Sequence, residues 1–360
     1  MKRTYFDKYS EFTCIADKCP ATCCSGWLIE IDEPSLDMYE NFDGDDSEYI
    51  RDRIDVQDSS FKQQNNGDCA FLMENGLCYL QKNHGEEFLC TTCDMYPRHV
   101  EEFLGVREYS LSVSCPAVAE KFLAEDSSLS WESFEDDVPD EEFEFDEALY
   151  EQLVACREHI CDILADRSVD FAGNAEYVIS YARAVQCAID EGEITGLSSV
   201  EPEECAGLYE ACRMFSDIEE MFDVFFTLEV LNEEFVESMH KALGILKAAG
   251  VNGILDVTAV DLSGANRVTE FDMTVALERI CIYFIFTYYC GSIYDEYYYA
   301  VALEAVYNTY MIMLLWKAKA IELSRALSVK DAAEILFKYS RELENSNENL
   351  IALEQMLNEK

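Results

Sequence analysis

The stretch Cys14-Ile15-Ala16-Asp17-Lys18-Cys19-Pro20-Ala21-Thr22-Cys23-Cys24-Ser25-Gly26-Trp27 carries four thiols in the pattern C-x4-C-x3-C-C. Outward from it lies a second group, Cys69, Cys78, Cys90 and Cys93, with Cys115 just beyond and Pro116 after it. Nine of the chain's 16 cysteines therefore fall in its first 115 residues, and the other seven are spread over the remaining 245. Thiolate is a soft ligand that suits zinc, iron–sulfur clusters and copper, and thiols this dense are poorly explained by packing. The scattered seven read as small buried hydrophobes. All nine N-terminal cysteines are candidate metal ligands. Only Cys90-Thr91-Thr92-Cys93 has the C-x2-C spacing common in zinc sites, and an adjacent pair such as Cys23-Cys24 seldom gives both thiolates to one zinc. The three-cysteine radical signature C-x3-C-x2-C is absent, because Cys24 follows Cys23 at once. Nine cysteines would serve one or two iron–sulfur clusters or two zinc sites, so both metals stay open on spacing alone. The plain alternative is a set of free buried thiols.

The chain has 360 residues, 49% of them hydrophobic, which allows a large core and two or three domains. Its formal net charge of −47 argues against broad nucleic-acid binding, which needs Lys and Arg to neutralise phosphates. A solvated acidic surface is the ordinary reading of that charge, and steering of a lysine-rich substrate is the sharper one. Met1-Lys2-Arg3-Thr4-Tyr5-Phe6-Asp7 lacks the apolar core of a secretory signal. The expectation is a cytoplasmic protein with reduced thiols, where cysteine groups bind metal or do chemistry rather than form disulfides. Ile280–Tyr289 and Tyr297–Trp316 are apolar, but Asp295, Glu296, Glu304 and Asn308 interrupt them, which predicts buried core helices rather than membrane spans. No phosphate loop, G-x-S-x-G elbow, H-E-x-x-H helix or Rossmann glycine fingerprint occurs.

Three parts follow along the chain: a cysteine-rich α+β module over 1–125, an acidic connector over 126–146, and a helical domain over 147–360. The fold class is mainly α. Within the module, Glu33–Phe42 reads as a helix capped by Asp32. Phe71–Leu80 reads as a hairpin turning at Asn75-Gly76, and His99–Phe103 with Val106–Val113 as a second hairpin turning at Leu104-Gly105. Pro116 opens a helix through Leu123. In the connector, Trp131, Phe134, Phe143 and Phe145 suggest docking despite the charge. Beyond it, apolar residues at spacings of three and four, such as Leu149, Leu153, Cys156, Ile160 and Leu164, continue into helices near 201–215, 217–231, 233–248, 270–289, 296–326, 328–344 and 347–358.

Taken together, these segments resemble one family. Phe12–Trp27 resembles the opening motif of flagellin lysine N-methylases. Cys69-Ala70-Phe71-Leu72, Gly76-Leu77-Cys78, Gly85-Glu86, Cys90-Thr91-Thr92-Cys93 and Tyr96-Pro97-Arg98 resemble a second, and Ser110–Pro116 a third. Tyr339–Asn349 is similar to the terminal signature, in which His is expected at Asn345 and an acidic residue at Asn347. The resemblance implies methyl transfer from S-adenosylmethionine to lysine ε-amines of flagellin, or of another lysine-bearing protein. It also implies an iron–sulfur cluster, 4Fe-4S in type, in the cysteine module, with zinc as the alternative metal.

A lysine amine is protonated at neutral pH, with an unperturbed pKa near 10.4, so such an enzyme must desolvate it or supply a base. The polar residues of the resembling motifs supply the candidates: Tyr96 and Glu342 as catalytic groups, Arg98 and Glu344 as cofactor-binding groups. Each has a plain reading as a structural pair or a solvated helix position. His84 and His99 are possible further ligands, whereas His159 and His240 read as structural. The competing function is a non-enzymatic metal-binding interaction protein with an acidic helical partner surface.

Overall fold

The structure, a computed structural model, describes residues 1–137, 145–202, 214–261 and 268–359. Most of the helix expected near 201–215, together with Phe143 of the connector, lies outside the described residues. Among those described, the strands are β1 Lys2–Phe6, β2 Ile54–Asp55, β3 Ser60–Phe61, β4 Arg98–Phe103, β5 Val106–Leu111 and β6 Trp131–Glu135. Four form one sheet in the order β4-β5-β1-β6, with β1 parallel to β5 and antiparallel to β6. The β4–β5 hairpin turns where expected, and Gly105 takes φ 72° there, a conformation that costs a residue without Cβ little. Sequence pattern did not reveal β1 or β6. In β1, Thr4 and Phe6 are buried while Lys2 is exposed, and Tyr5 stacks across the sheet on Tyr109 at 4.6 Å and Phe134 at 5.3 Å. In β6, Trp131 packs on Phe286 at 5.3 Å, so part of the acidic connector is an edge strand. Phe145 docks against Phe103, with ring centroids 6.2 Å apart.

The predicted 71–80 hairpin shortens to one bridge, Leu72 with Cys78, closed by a turn in which Gly76 has φ 78°. Tyr79 and Leu80 then start a helix instead of a strand. The helices are α1 Glu33–Asn41, α2 Ser47–Arg51, α3 Tyr79–His84, α4 Thr91–Met95, α5 Pro116–Ala124, α6 Glu147–Leu164 and α7 Phe171–Asp190. After them come α8 Ile218–Phe226, α9 Glu233–Ala248, α10 Ile254–Asp261, α11 Met273–Tyr288, α12 Tyr298–Leu323, α13 Val329–Glu344 and α14 Asn347–Asn358. Mainly α is therefore the correct class. Caps fall where short polar side chains precede apolar runs: Asp32 accepts from the Ser35 amide, and Ser328 with Asp331 closes a capping box on α13. Helix α12 is buried on every face from Tyr298 to Ala318 and packs against α7, α9, α11, α13 and α14. The segment Met273–Ile293 is long and apolar enough to cross a membrane, but 83% of its apolar window is buried inside the protein, as a core helix would be.

Apolar residues gather into two clusters. A small one, around Ile29, Tyr39, Phe61, Phe71 and Cys90, belongs to the loops of the second thiol group. The large one joins the helices to Phe6, Phe103, Val113 and Phe122. Sheet and helices are also tied by a buried ion pair: Glu108 on β5 accepts from Arg157 on α6 at 2.5 and 2.6 Å. Of the seven scattered cysteines, Cys156, Cys161, Cys281 and Cys290 are buried free thiols, as expected. Cys187 is disulfide-bonded, a correction to the reading of all seven as buried thiols. Cys205 and Cys212 lie outside the described residues.

Candidate functional site

Main-chain bonds bring the two thiol groups together. The Cys69 amide donates to the Cys24 carbonyl at 2.8 Å, the Gly26 amide to Gly67 at 3.1 Å, and the Trp27 indole to the Cys23 carbonyl at 2.8 Å. As a result Cys24 lies between Cys23 and Cys78 and hydrogen-bonds both. Its proton favours thiolate on either neighbour, drawing Cys23 down to about 7 and Cys78 to about 6. Cys93 does the same for Cys90, which is also lowered. Cys19 stands beside Cys23 and donates to the Ala21 carbonyl at 3.1 Å; burial raises its pKa. Burial likewise pushes Cys69 up to about 12 and Cys115 up to about 11. Cys14 is exposed, and Cys115 opens α5 within the main core.

The nine candidate ligands thus divide. Cys23, Cys24 and Cys78 form one contacting set, Cys90 and Cys93 another, and Cys19 and Cys69 lie close by. The donor chemistry fits a soft metal or an iron–sulfur cluster. Among the described residues, however, no group of three or more His, Cys, Asp or Glu is already arranged around a metal position. His84 bonds Asp46 at 2.8 Å and His99 bonds Glu101 at 2.7 Å.

The C-terminal helix α13 reaches into this region. Arg341 donates to three carbonyls: Ala21 at 2.9 Å, Thr22 at 3.2 Å and Ser114 at 3.0 Å. Its guanidinium holds the backbone between Cys19 and Cys23, and its charge favours thiolate on both. From Ser114 a line of hydroxyls runs to a carboxylate. Tyr96 Oη lies 3.0 Å from Ser114 Oγ, Ser112 Oγ donates to Ser114 Oγ at 2.7 Å, and Ser112 lies 3.2 Å from Glu344. Glu344 also accepts from Tyr283 at 2.5 Å, Tyr288 at 2.9 Å and Ser340. Burial raises the Glu344 pKa, and these hydroxyls with the facing His99 oppose the rise. Burial works against the charged form of His99, yet its bond to Glu101 and the charges of Glu101 and Glu344 raise it overall.

The four candidate polar residues have separate partners. Tyr96 sits at the thiol end of the hydroxyl line, against Trp27 at 6.0 Å, and burial raises its pKa. Glu344 sits at the far end. Glu342 points elsewhere: it accepts from the amides of Leu231 and Asn232 at 2.6 and 3.0 Å, just before α9. Burial lifts it to about 7 against those bonds. Arg98 lies over the Phe12 ring at 5.5 Å. Tyr96 and Glu344 thus share one hydrogen-bonded line, whereas Glu342 bonds the main chain before α9 and Arg98 lies over Phe12, both off that line.

The profile of the FliB lysine N-methylase C-terminal domain matches residues 157–360, which include Arg341 and Glu344. The chain belongs to the FliB lysine N-methylase family. It is 27% identical over 133 residues to the flagellar biosynthetic protein FliU of Salmonella muenchen, covering 34% of this chain and 76% of that one. It is also 27% identical over 133 residues to a lysine-N-methylase of Salmonella typhimurium, and over 134 residues to one of Salmonella choleraesuis. Those two matches cover 34% of this chain and span 32% of the length of each methylase. No solved structure matches the chain.

Sequence reasoning passed over Arg341, Ser112, Ser114, Tyr283 and Tyr288. The first three stand inside motifs that it quoted, so a signal was present: an arginine just before the two candidate glutamates, and two serines on the approach to Cys115. The two tyrosines carried none, because within an apolar helix a tyrosine that donates to a buried carboxylate looks like any other core aromatic.

Proposed function

We propose that this protein transfers methyl groups from S-adenosylmethionine to lysine ε-amines of a protein in the cytoplasm. Flagellin is the acceptor that the family resemblance and the flagellar name of the relative FliU favour. The observation that carries this reading is Arg341. It lies in the segment matching the methylase domain and fixes the backbone between Cys19 and Cys23, so thiol module and family domain meet in one place. Cys23, Cys24, Cys78, Cys90 and Cys93, with Cys19 beside them, would hold an iron–sulfur cluster. When bound, that group supplies iron able to ligate the amino and carboxylate ends of the methyl donor, or a staple for the surrounding loops.

The protein's own residues have two further tasks. The amine must lose its proton and become nucleophilic, and it must be held in line with the sulfonium methyl. Anaerobically purified protein, incubated with flagellin and S-adenosylmethionine, is expected to add methyl masses to flagellin lysines by peptide mass spectrometry. Donor binding by calorimetry with no mass change on any lysine would overturn the assignment.

A further inference from the structure

A cleft of about 250 Å3 opens between the loop after β1 and helix α5. Its walls are apolar, built from Phe6, Phe12, Ile15, Val118, Phe122 and Tyr283. Thr13 and Ile15 also line it, so the opening thiol motif borders the cleft. Asp7, Glu11 and Glu125 contribute three carboxylates against two lysines, Lys8 and Lys121, which pair with Glu125 and Glu11. Arg279 lies 3.5 Å from Asp7. Each of the three carboxylates thus has a cation beside it, and such a site suits a flexible apolar stem with a cationic head: four methylenes take the walls, and the field of a chain with net charge −47 favours the ammonium.

What lies behind the cleft gives it a chemical use. Tyr283 contributes to the wall, and its hydroxyl donates to Glu344 at 2.5 Å. Tyr288, Ser340 and Ser112 surround the same carboxylate, His99 faces it from β4, and Arg341 and Glu342 are its neighbours on α13. We propose that this cleft seats the acceptor lysine and that Glu344 takes, through the Tyr283 hydroxyl, the proton the ammonium must lose. In that step Tyr283 accepts a proton from R–NH3+ while passing its own to the carboxylate, leaving R–NH2 and a protonated Glu344. The neutral amine then forms its N–C bond as the S–C bond of the sulfonium donor breaks, giving R–NH2CH3+ and a thioether. Glu344 afterwards returns its proton to solvent. The proposal rests on the methyltransferase reading.

The test is the pH–rate profile of holoprotein on flagellin and on a lysine-containing peptide. An ionised Glu344 is needed, so wild-type activity should fall as pH drops through its raised pKa and level off above it. In Glu344→Gln and Tyr283→Phe, activity near pH 7 should drop roughly a hundredfold or more and recover about tenfold per pH unit toward the free amine's pKa. Donor binding and melting temperature should stay near wild type in Tyr283→Phe, which keeps the ring. Ala117→Trp, which fills the cleft, should raise KM for the peptide and leave the profile shape unchanged. Equal loss at every pH in both relay variants would mean a structural role and overturn the relay. An unchanged KM in Ala117→Trp would place the lysine elsewhere. A wild-type protein inactive on both substrates would instead sink the methyltransferase reading itself.

Discussion

Between Cys14 and Cys93 the chain has strands of two residues, helices of five to nine, and an apolar cluster of its own around Tyr39, Phe61, Phe71 and Cys90. From Glu147 onward it has helices of up to 26 residues, one of them buried on every face along most of its length. The helical body gains stability in the usual way, by removing apolar area from water. The thiol-bearing loops have little such area to set against the entropy of ordering them. They are held by polar ties to the main chain, such as Arg53 to the Ala70 carbonyl at 3.1 Å and Tyr39 to the Phe88 carbonyl at 2.9 Å. A region built so is where a bound metal contributes most, because its binding energy becomes folding energy.

The hardest test of this contrast removes one sulfur from each region. Serine at Cys23, Cys78, Cys90 or Cys93 is expected to strip bound iron and sulfide and open residues 14–93 to protease, while the far-ultraviolet helix signal persists. Serine at Cys156 or Cys281, both buried among helices, should keep the metal and cost only about 1–3 kcal/mol for placing a hydroxyl in the core. Metal analysis and limited proteolysis would read both. Identical behaviour of the two sets would erase the distinction, and folded, metal-free wild-type protein would remove the staple altogether.

The two regions also differ in how far they were legible. In the helical body the period-3.6 pattern gave most helices within a few residues, and in the structure Asn232, Ser328 and Ser346 cap three of them. In the thiol region the motifs were plain but their shape was not. Tyr79-Leu80 looked like the second arm of a hairpin and instead starts a helix, since a short apolar run carries no period of its own. β1 and β6 were missed because sheet pairing lies between segments more than 100 residues apart, which local pattern cannot see. For the same reason the candidate site was half legible: Tyr96 and Glu344 were named, but the bonds by which Arg341 ties α13 to the opening motif appear only when distant segments meet.

A second test asks what binds the sheet, where the second motif ends at Arg98 and the third begins at Ser110, to the helical body. Glu108 and Arg157 have side chains 5% and 2% exposed, and Tyr150 bonds the same carboxylate at 3.3 Å. Glu108→Ala leaves a guanidinium buried without its partner and should cost about 3–5 kcal/mol in urea denaturation. Replacing both residues by Leu and Met should recover much of that loss, because a matched apolar pair avoids the desolvation penalty. If the single change were harmless, the sheet would be docked by its apolar face alone.

The smallest effect sharpens the comparison most, because it makes one chemical cut in both regions. Ser328 caps α13 through the Asp331 amide, and Ser328→Ala should cost about 1 kcal/mol with metal content unchanged. Asp32 caps α1 in the same manner, accepting from the Ser35 amide at 3.1 Å, but its other oxygen accepts from the Thr91 amide at 2.7 Å. Thr91 is the residue after Cys90, so this one carboxylate fixes both α1 and the turn between Cys90 and Cys93. Burial opposes its charge, yet the bonds from Thr91 and Ser35 prevail and lower its pKa. The tie is therefore complete above the ordinary Asp value, near 3.9, and is lost as pH falls through the lower folded value. Asp32→Ala should cost somewhat more than the Ser328 change, about 2 kcal/mol. It should also speed hydrogen exchange at Thr91 and weaken metal retention. Asp32→Asn, with a single acceptor oxygen, can keep one tie and not both, and should fall between. Should Asp32→Ala behave like Ser328→Ala, with Thr91 exchange and metal content untouched, the cap would be no more than a cap, and the thiol loops would owe their order to something other than these polar ties.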